Sequence, residues 1–245
     1  MSAPSSRSLF RATKAKPVAD ARQGALHGDD WPEHVAPRED VRRADDFYPT
    51  GQPEAIRALL ARDGARIMPL GKVWEPCVGA GDMARPMVDA GLTVLGSDIV
   101  DRGWPDTAIE SFYDFAAAPA PAIITNPPYA EINARDGHGR WLRHTLDLPE
   151  WEYCALLLSW DWPAARANGL GALLDAHPFS YCYLMRWKLD FTGEGSPPQR
   201  NAWFVWDRRW AGVEPAFRWM DRDDDRQAAL DLADHIKPLE PDAGE

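Results

Sequence analysis

The sequence predicts an α/β domain whose sheet is mostly parallel and covered by helices on both faces. Three stretches predict it. Lys72-Val73-Trp74-Glu75-Pro76-Cys77 reads as a buried strand running into Val78-Gly79-Ala80-Gly81-Asp82, then a helix and a second strand that ends in Asp98. That order is one βαβ half of a nucleotide-type fold. Tyr153-Cys154-Ala155-Leu156-Leu157-Leu158-Ser159 is a continuous apolar run, as expected of a strand covered on both sides. A third apolar run, 120–125, stops at Asn126-Pro127-Pro128-Tyr129.

Residues 1–44 are rich in Ala, Pro, Arg and Asp without a sustained period, and read as a flexible arm. In 45–60, Pro53 suits a first helical turn, Thr50 or Gly51 can cap it, and Ile56, Leu59 and Leu60 share a face. The helix after Gly81 covers about 83–90, and Gly91 closes it. A short element is expected near 108–110, and a helix around Trp141 to Leu146. Another helix is expected over 160–174, broken near Asn168-Gly169. Strands are expected over 178–188 and 202–206. The loop 190–200 is Gly/Pro-rich and makes a hairpin connection. The last 25 residues, 221–245, form an acidic helix and tail. The expected organisation is thus an arm (1–44), a main domain (45–220) and a tail (221–245).

The formal net charge is −11, which argues against a broad basic surface. The tail alone carries −6, so the body is mildly acidic and has room for a local basic cleft. Cys77, Cys154 and Cys182 are far apart and form no metal-ligand spacing, and the six His are scattered, so no metal is expected. Free thiols point to a reducing compartment. With no membrane-length apolar run and no signal-like N-terminus, a cytoplasmic protein is expected.

Two sites carry chemistry. At the tip of the first strand, the Glu75 carboxylate would repel a pyrophosphate and attract an ammonium. Asp98 lies 17 residues beyond Gly81, where an acid meets ribose hydroxyls. No Gly-Lys-Ser/Thr is present, which argues against an NTPase. A ligand with ribose hydroxyls and an ammonium, but no phosphate, is S-adenosylmethionine. At the second site, two prolines that cannot donate to a ladder end a strand abruptly. They hold the Asn126 amide, the Pro128 carbonyl and the Tyr129 ring on a stiff turn, a set suited to a planar group with an exocyclic amine.

Glu75-Pro76-Cys77-Val78-Gly79-Ala80-Gly81, Asp98, Asp114-Phe115 and Asn126-Pro127-Pro128-Tyr129 resemble the ordered motifs of amino-group DNA methyltransferases of the N6-adenine type. Phe47-Tyr48-Pro49-Thr50 resembles the upstream motif that meets the methionine end of the cofactor, with Pro and Thr reversed. Residues 96–103 and 201–206 look like small phage or prophage members. The resemblance covers about 46–207. It implies a class I, Rossmann-like fold of seven strands with the last antiparallel, and transfer of a methyl group from S-adenosylmethionine to adenine N6 in DNA. Tyr48, Thr50, Glu75, Pro76, Gly79, Gly81, Asp98, Ile99, Asp114, Phe115 and Asn126 would meet the cofactor. Asn126, Pro127, Pro128 and Tyr129 would hold the target base, flipped out or single-stranded.

Alternatives of the same fold are an RNA adenine methyltransferase, a protein-glutamine methyltransferase that also uses Asn-Pro-Pro-Tyr, and a silent cofactor-binding protein. A C5-cytosine mechanism is set aside, because Cys77 lies within the cofactor loop. Only 23 residues separate Tyr129 from Tyr153, which leaves no room for a target-recognition domain. Short-site specificity is expected, read by loops 130–140 and 190–200, with Arg135, Arg140, Arg143 and Arg200 as basic candidates.

Overall fold

A computed structural model describes residues 49–132, 139–164, 169–191 and 200–222, all within the compact unit Arg43–Glu245. The arm 1–44, Tyr48, Arg135, the acidic helix of the tail and most of loops 130–140 and 190–200 lie outside the described residues.

Among the described residues eight strands form one sheet: β1 (Lys72–Glu75), β2 (Thr93–Asp98), β3 (Ala108–Ile109), β4 (Ala122–Thr125), β5 (Tyr153–Ser159), β6 (Tyr181–Met185), β7 (Asn201–Asp207) and β8 (Ala216–Met220). Their spatial order is β3-β2-β1-β4-β5-β7-β6-β8. β7 is antiparallel to both β5 and β6, and the other pairs are parallel. The seven expected strands are present with the seventh antiparallel as expected, and one further strand is added. The antiparallel strand is the seventh, inserted between β5 and β6, and β8 follows it as an edge strand. β8 escapes a sequence reading because its middle residues are exposed and give it no buried apolar run.

Alternation along the strands divides the core in two. In β5, Tyr153, Ala155 and Leu157 face one side, and Cys154, Leu156 and Leu158 face the other. The first side is covered by α1 (Glu54–Ile67) and α2 (Ala84–Asp89) through Ile56, Leu59, Ile67 and Met87. The second is covered by α3 (Tyr129–Ile132), α4 (Arg140–Asp147) and α5 (Leu170–Ala176) through Ile132, Trp141, Leu142 and Leu170. No helix among the described residues is long and apolar enough to cross a membrane.

α1 is fixed over the sheet by a buried carboxylate. Asp63 accepts from the Tyr153 hydroxyl (2.8 Å), the Tyr183 hydroxyl (2.7 Å) and Arg66 (2.6 Å). Burial, and then the Asp63 charge, hold the Tyr153 hydroxyl protonated far above the usual phenol range. Removing the carboxylate would strand two buried hydroxyls, each costing its desolvation. Asp63→Ala is expected to lower stability by about 2 to 4 kcal/mol. A urea midpoint equal to that of the wild type would contradict this role.

Candidate active site

The chain runs from β1 outward to β2 and β3, then crosses back to β4 and β5 on the other side. At such a reversal, neighbouring loops part and leave a crevice at the carboxyl ends of the strands. A cavity of about 470 Å³ lies there. Glu75 at the end of β1, Asp98 at the end of β2 and Asn126 just after β4 all line it.

Glu75 is 2% exposed, and its Oε2 has no hydrogen-bond partner. Burial raises its pKa well above the usual carboxylate range, and the charges of Asp82 and Asp98 add to the rise. A buried carboxyl left this way keeps one acceptor oxygen unused. Asp98 ties the adjoining loops together. Its Oδ2 accepts from the Gly79 N–H (2.9 Å), and its Oδ1 from the Val100 N–H (3.1 Å). Gly79 lines the cavity with φ of 53°. Gly81, with φ of 83°, plays a different part, because a Cβ there would run into the Trp104 ring. Glycine at 81 therefore lets Trp104 pack on the loop from outside the cavity.

At the end of β4 the Asn126 side chain donates through Nδ2 to Thr50 Oγ1 (3.0 Å). The acceptor oxygen is the other end of that amide. Pro127 is buried beneath it. The Tyr129 ring is half-buried against the second core, and its hydroxyl accepts from Asn201 Nδ2 (3.0 Å). Asn201, the first residue of β7, is fully buried. Burial pushes the Cys77 thiol far up and keeps it protonated, so nothing makes it a nucleophile.

The cavity is also lined by Ser111, Phe112 and Tyr113, together with Glu131, Arg140 and Trp141. Phe112 stacks on Trp141 (4.1 Å between centroids, 9° between planes). Glu131 Oε2 accepts from the Tyr113 hydroxyl (2.7 Å) and from Arg140 Nε (2.9 Å), and the Arg140 guanidinium lies over the Tyr113 ring.

The same architecture recurs in solved structures. A Listeria monocytogenes protein named as a class I S-adenosylmethionine-dependent methyltransferase superposes with a TM-score of 0.51 at 11% identity, over 86% of this chain and 74% of that one. This is the class I methyltransferase fold. Two modification subunits of type I restriction systems share it. One is from Vibrio vulnificus, with TM-score 0.50 and 11% identity over 81% of this chain. The other is from Streptococcus thermophilus, with TM-score 0.51 and 10% identity over 79%. The chain spans about half the length of those two subunits, 55% and 53%. No family model and no curated protein matches the sequence.

Within this class I fold, Thr50, Glu75, Pro76, Gly79, Asp98, Ile99, Asn126 and Pro128 come together around the cavity. Four expectations need correction. The Pro128 carbonyl is not open, since it accepts from the N–H groups of Glu131 (2.9 Å) and Ile132 (3.3 Å), because α3 begins at once. Asp114 and Phe115 do not line the cavity. Ser111 accepts from the Tyr113 N–H and caps a 3₁₀ turn over Phe112–Asp114. That turn faces Ser111, Phe112 and Tyr113 inward, leaves Asp114 exposed and packs Phe115 on Trp74. Thr50 caps no helix, since the α1 N-cap is Pro53 without a side-chain bond. Pro127, Tyr129 and Gly81 do not line the cavity.

Sequence reasoning missed Ser111, Phe112, Tyr113 and Trp141. Ser111 three residues before Asp114 is a usable cap signal. The Phe112–Trp141 stack leaves no such local trace.

Glu75 makes stability depend on pH. Its folded pKa is raised above the unfolded one. The stability it contributes when neutral is therefore complete below the ordinary glutamate range and is lost as pH rises through the raised value. Glu75→Gln keeps the neutral shape at every pH. The variant is expected to melt above the wild type at pH ~7 to 8, with the gap closing toward pH ~4. A calorimetric series showing equal melting points at both ends would refute the assignment.

Proposed function

We propose that the chain is an adenine-specific DNA methyltransferase that uses S-adenosylmethionine and methylates the N6 amine. The observation that carries this reading is the Asn126 amide, fixed by Thr50 at the rim of a cavity whose floor holds the unpartnered Glu75 Oε2. The residues fit the cofactor. Glu75 offers a carboxyl oxygen to an ammonium, Asp98 offers carboxylate oxygens to ribose hydroxyls, and Ile99 and Phe112 give apolar cover to an adenine ring. When bound there, S-adenosylmethionine supplies a methyl group on a positively charged sulfur.

The remaining work belongs to the protein. An aromatic amine is a poor nucleophile because its lone pair is delocalised into the ring. The Asn126 oxygen accepts one amine hydrogen, draws the nitrogen toward a tetrahedral shape and aims the lone pair along the line of transfer. In direct in-line displacement the N–CH3 bond would form as the S–CH3 bond breaks, leaving a neutral thioether and a surplus amine proton that passes to water. This needs chiefly orientation, which is the kind of help a rigid corner gives. No covalent enzyme intermediate is involved. The Pro128 carbonyl, already bound within α3, plays a smaller part than Asn126. The target adenine is flipped from its stack or already unpaired. The short spacing between Tyr129 and β5 departs from DNA methyltransferases that carry a separate target-recognition domain, and suits loop-read, short-site specificity.

Labelled methyl groups should pass from cofactor to adenine of DNA when DNA, RNA and protein are offered in parallel. Label in RNA or protein alone would overturn the reading. Asn126→Ala should reduce transfer to background while calorimetry shows nearly unchanged cofactor affinity. Asp98→Ala should do the reverse and weaken the cofactor at least tenfold, roughly the loss of one charge-assisted hydrogen bond of about 1.5 to 3 kcal/mol.

A further inference from the structure

We propose that the carboxyl edge of the sheet beyond Asn126 is a track for an unpaired nucleic-acid strand, formed by Trp160, Arg200, Arg186 and Trp219. The proposal rests on the nucleic-acid reading given above and adds where the strand lies.

The track is continuous with the site. Asn201, which donates to the Tyr129 hydroxyl, directly follows Arg200. The Arg200 carbonyl accepts from the Trp160 N–H (3.1 Å), so Trp160 sits beside it at the end of β5. The Arg200 guanidinium reaches the Arg186 carbonyl (3.4 Å) at the end of β6. The Arg186 guanidinium lies 5.0 Å from the centroid of the Trp219 ring on β8, and Phe217 meets Trp219 edge to face at 5.1 Å. The path thus runs from Tyr129 across β5, β7, β6 and β8 toward the carboxyl end of β5.

These side chains are accessible. Trp160 is 50% exposed, Trp219 51% and Arg186 53% on its side chain. Tryptophans left half in water contribute little to the core, and each offers a ring face. Every base has a face that stacks on such a ring, and sequence matters little to that contact. Arginines between the rings meet the phosphates. Elsewhere a chain of net charge −11 repels a polyanion, so local arginines decide where one lands. Asp221 lies 3.4 Å from Arg186, but both groups are more than half exposed. An ion pair of that kind is worth little and yields to a phosphate. A duplex keeps its base faces stacked inside, whereas an unpaired strand presents them. Exposed rings at either end of a pair of arginines therefore select the unpaired strand.

The test is fluorescence anisotropy of the full chain with a labelled mixed-sequence DNA strand and with its duplex, over a range of salt. Trp160→Ala and Trp219→Ala are each expected to weaken single-strand binding about fivefold or more. Arg186→Gln and Arg200→Gln are each expected to lower the slope of log affinity against log salt by about 0.7. Cofactor affinity and melting temperature should match the wild type, which separates lost contacts from lost folding. If the wild type binds and methylates DNA while these variants bind as it does, the track is overturned and the methylation reading stands. Losses confined to the duplex overturn the unpaired-strand assignment. Failure of the wild type to bind either probe overturns the track and the nucleic-acid reading together.

Discussion

The architecture of the site depends on a ladder that stops early. β4 pairs with β5 only as far as Thr125 and Leu156, while β5 continues to Ser159 with β7 as its partner. Pro127 and Pro128 cannot donate to a ladder, so β4 cannot follow β5 to its end. β5 and β7 therefore overhang β4 by three residues. The chain leaving β4 turns beneath the overhang, and Tyr129 comes to rest against it with its hydroxyl on Asn201. The corner is held from the other side by Thr50, which takes the Asn126 amide N–H. A shift of one residue in the position of the prolines would move Asn126 into the ladder or away from the crevice.

Against that rigid corner the floor of the crevice is held at a thermodynamic loss. Glu75 shares a small space with two other carboxylates and is removed from water, which is why its proton is hard to lose. Nothing in folding favours an acid at this position, and a buried amide or apolar side chain would be better tolerated. Local disagreement of this kind marks places where a protein gives up stability for function. Asp98 is different. Its oxygens already hold two backbone N–H groups, so it stabilises the loops and remains able to accept further hydrogen bonds.

The parts of this molecule that are legible in the sequence are those decided by neighbours along the chain. β1, β2, β4 and β5 are apolar runs with sharp ends, and the glycine loop is punctuated by residues whose conformational needs are local. Glu75, Asp98 and Asn126 can therefore be placed at strand ends from residue order alone. What cannot be read depends on partners far away. Asp63 looks like one more polar residue on a helix, yet its acceptors serve tyrosines 90 and 120 positions later. Asn201 opens a strand without any sign that its amide will reach Tyr129, 72 residues back. The offset from Asp114-Phe115 to Ser111-Phe112 is an error of another kind. A one-turn 3₁₀ segment sets which side chains face inward, and two aromatic pairs three residues apart fit the same local pattern.

The inserted antiparallel strand links these observations. A parallel strand beside β5 would bring its last residue to the carboxyl edge and carry the chain away from there into a crossover. β7 runs the opposite way and brings its first residues, Arg200 and Asn201, to that edge. One strand thereby sends a buried amide to the Tyr129 hydroxyl and leaves an arginine outside, next to the exposed Trp160. β6 and β8, parallel to β5, then add their own last residues along the same edge, including Arg186 and Trp219. The reversal of a single strand thus turns the far half of the sheet from a mere support of the core into a surface facing whatever approaches Asn126.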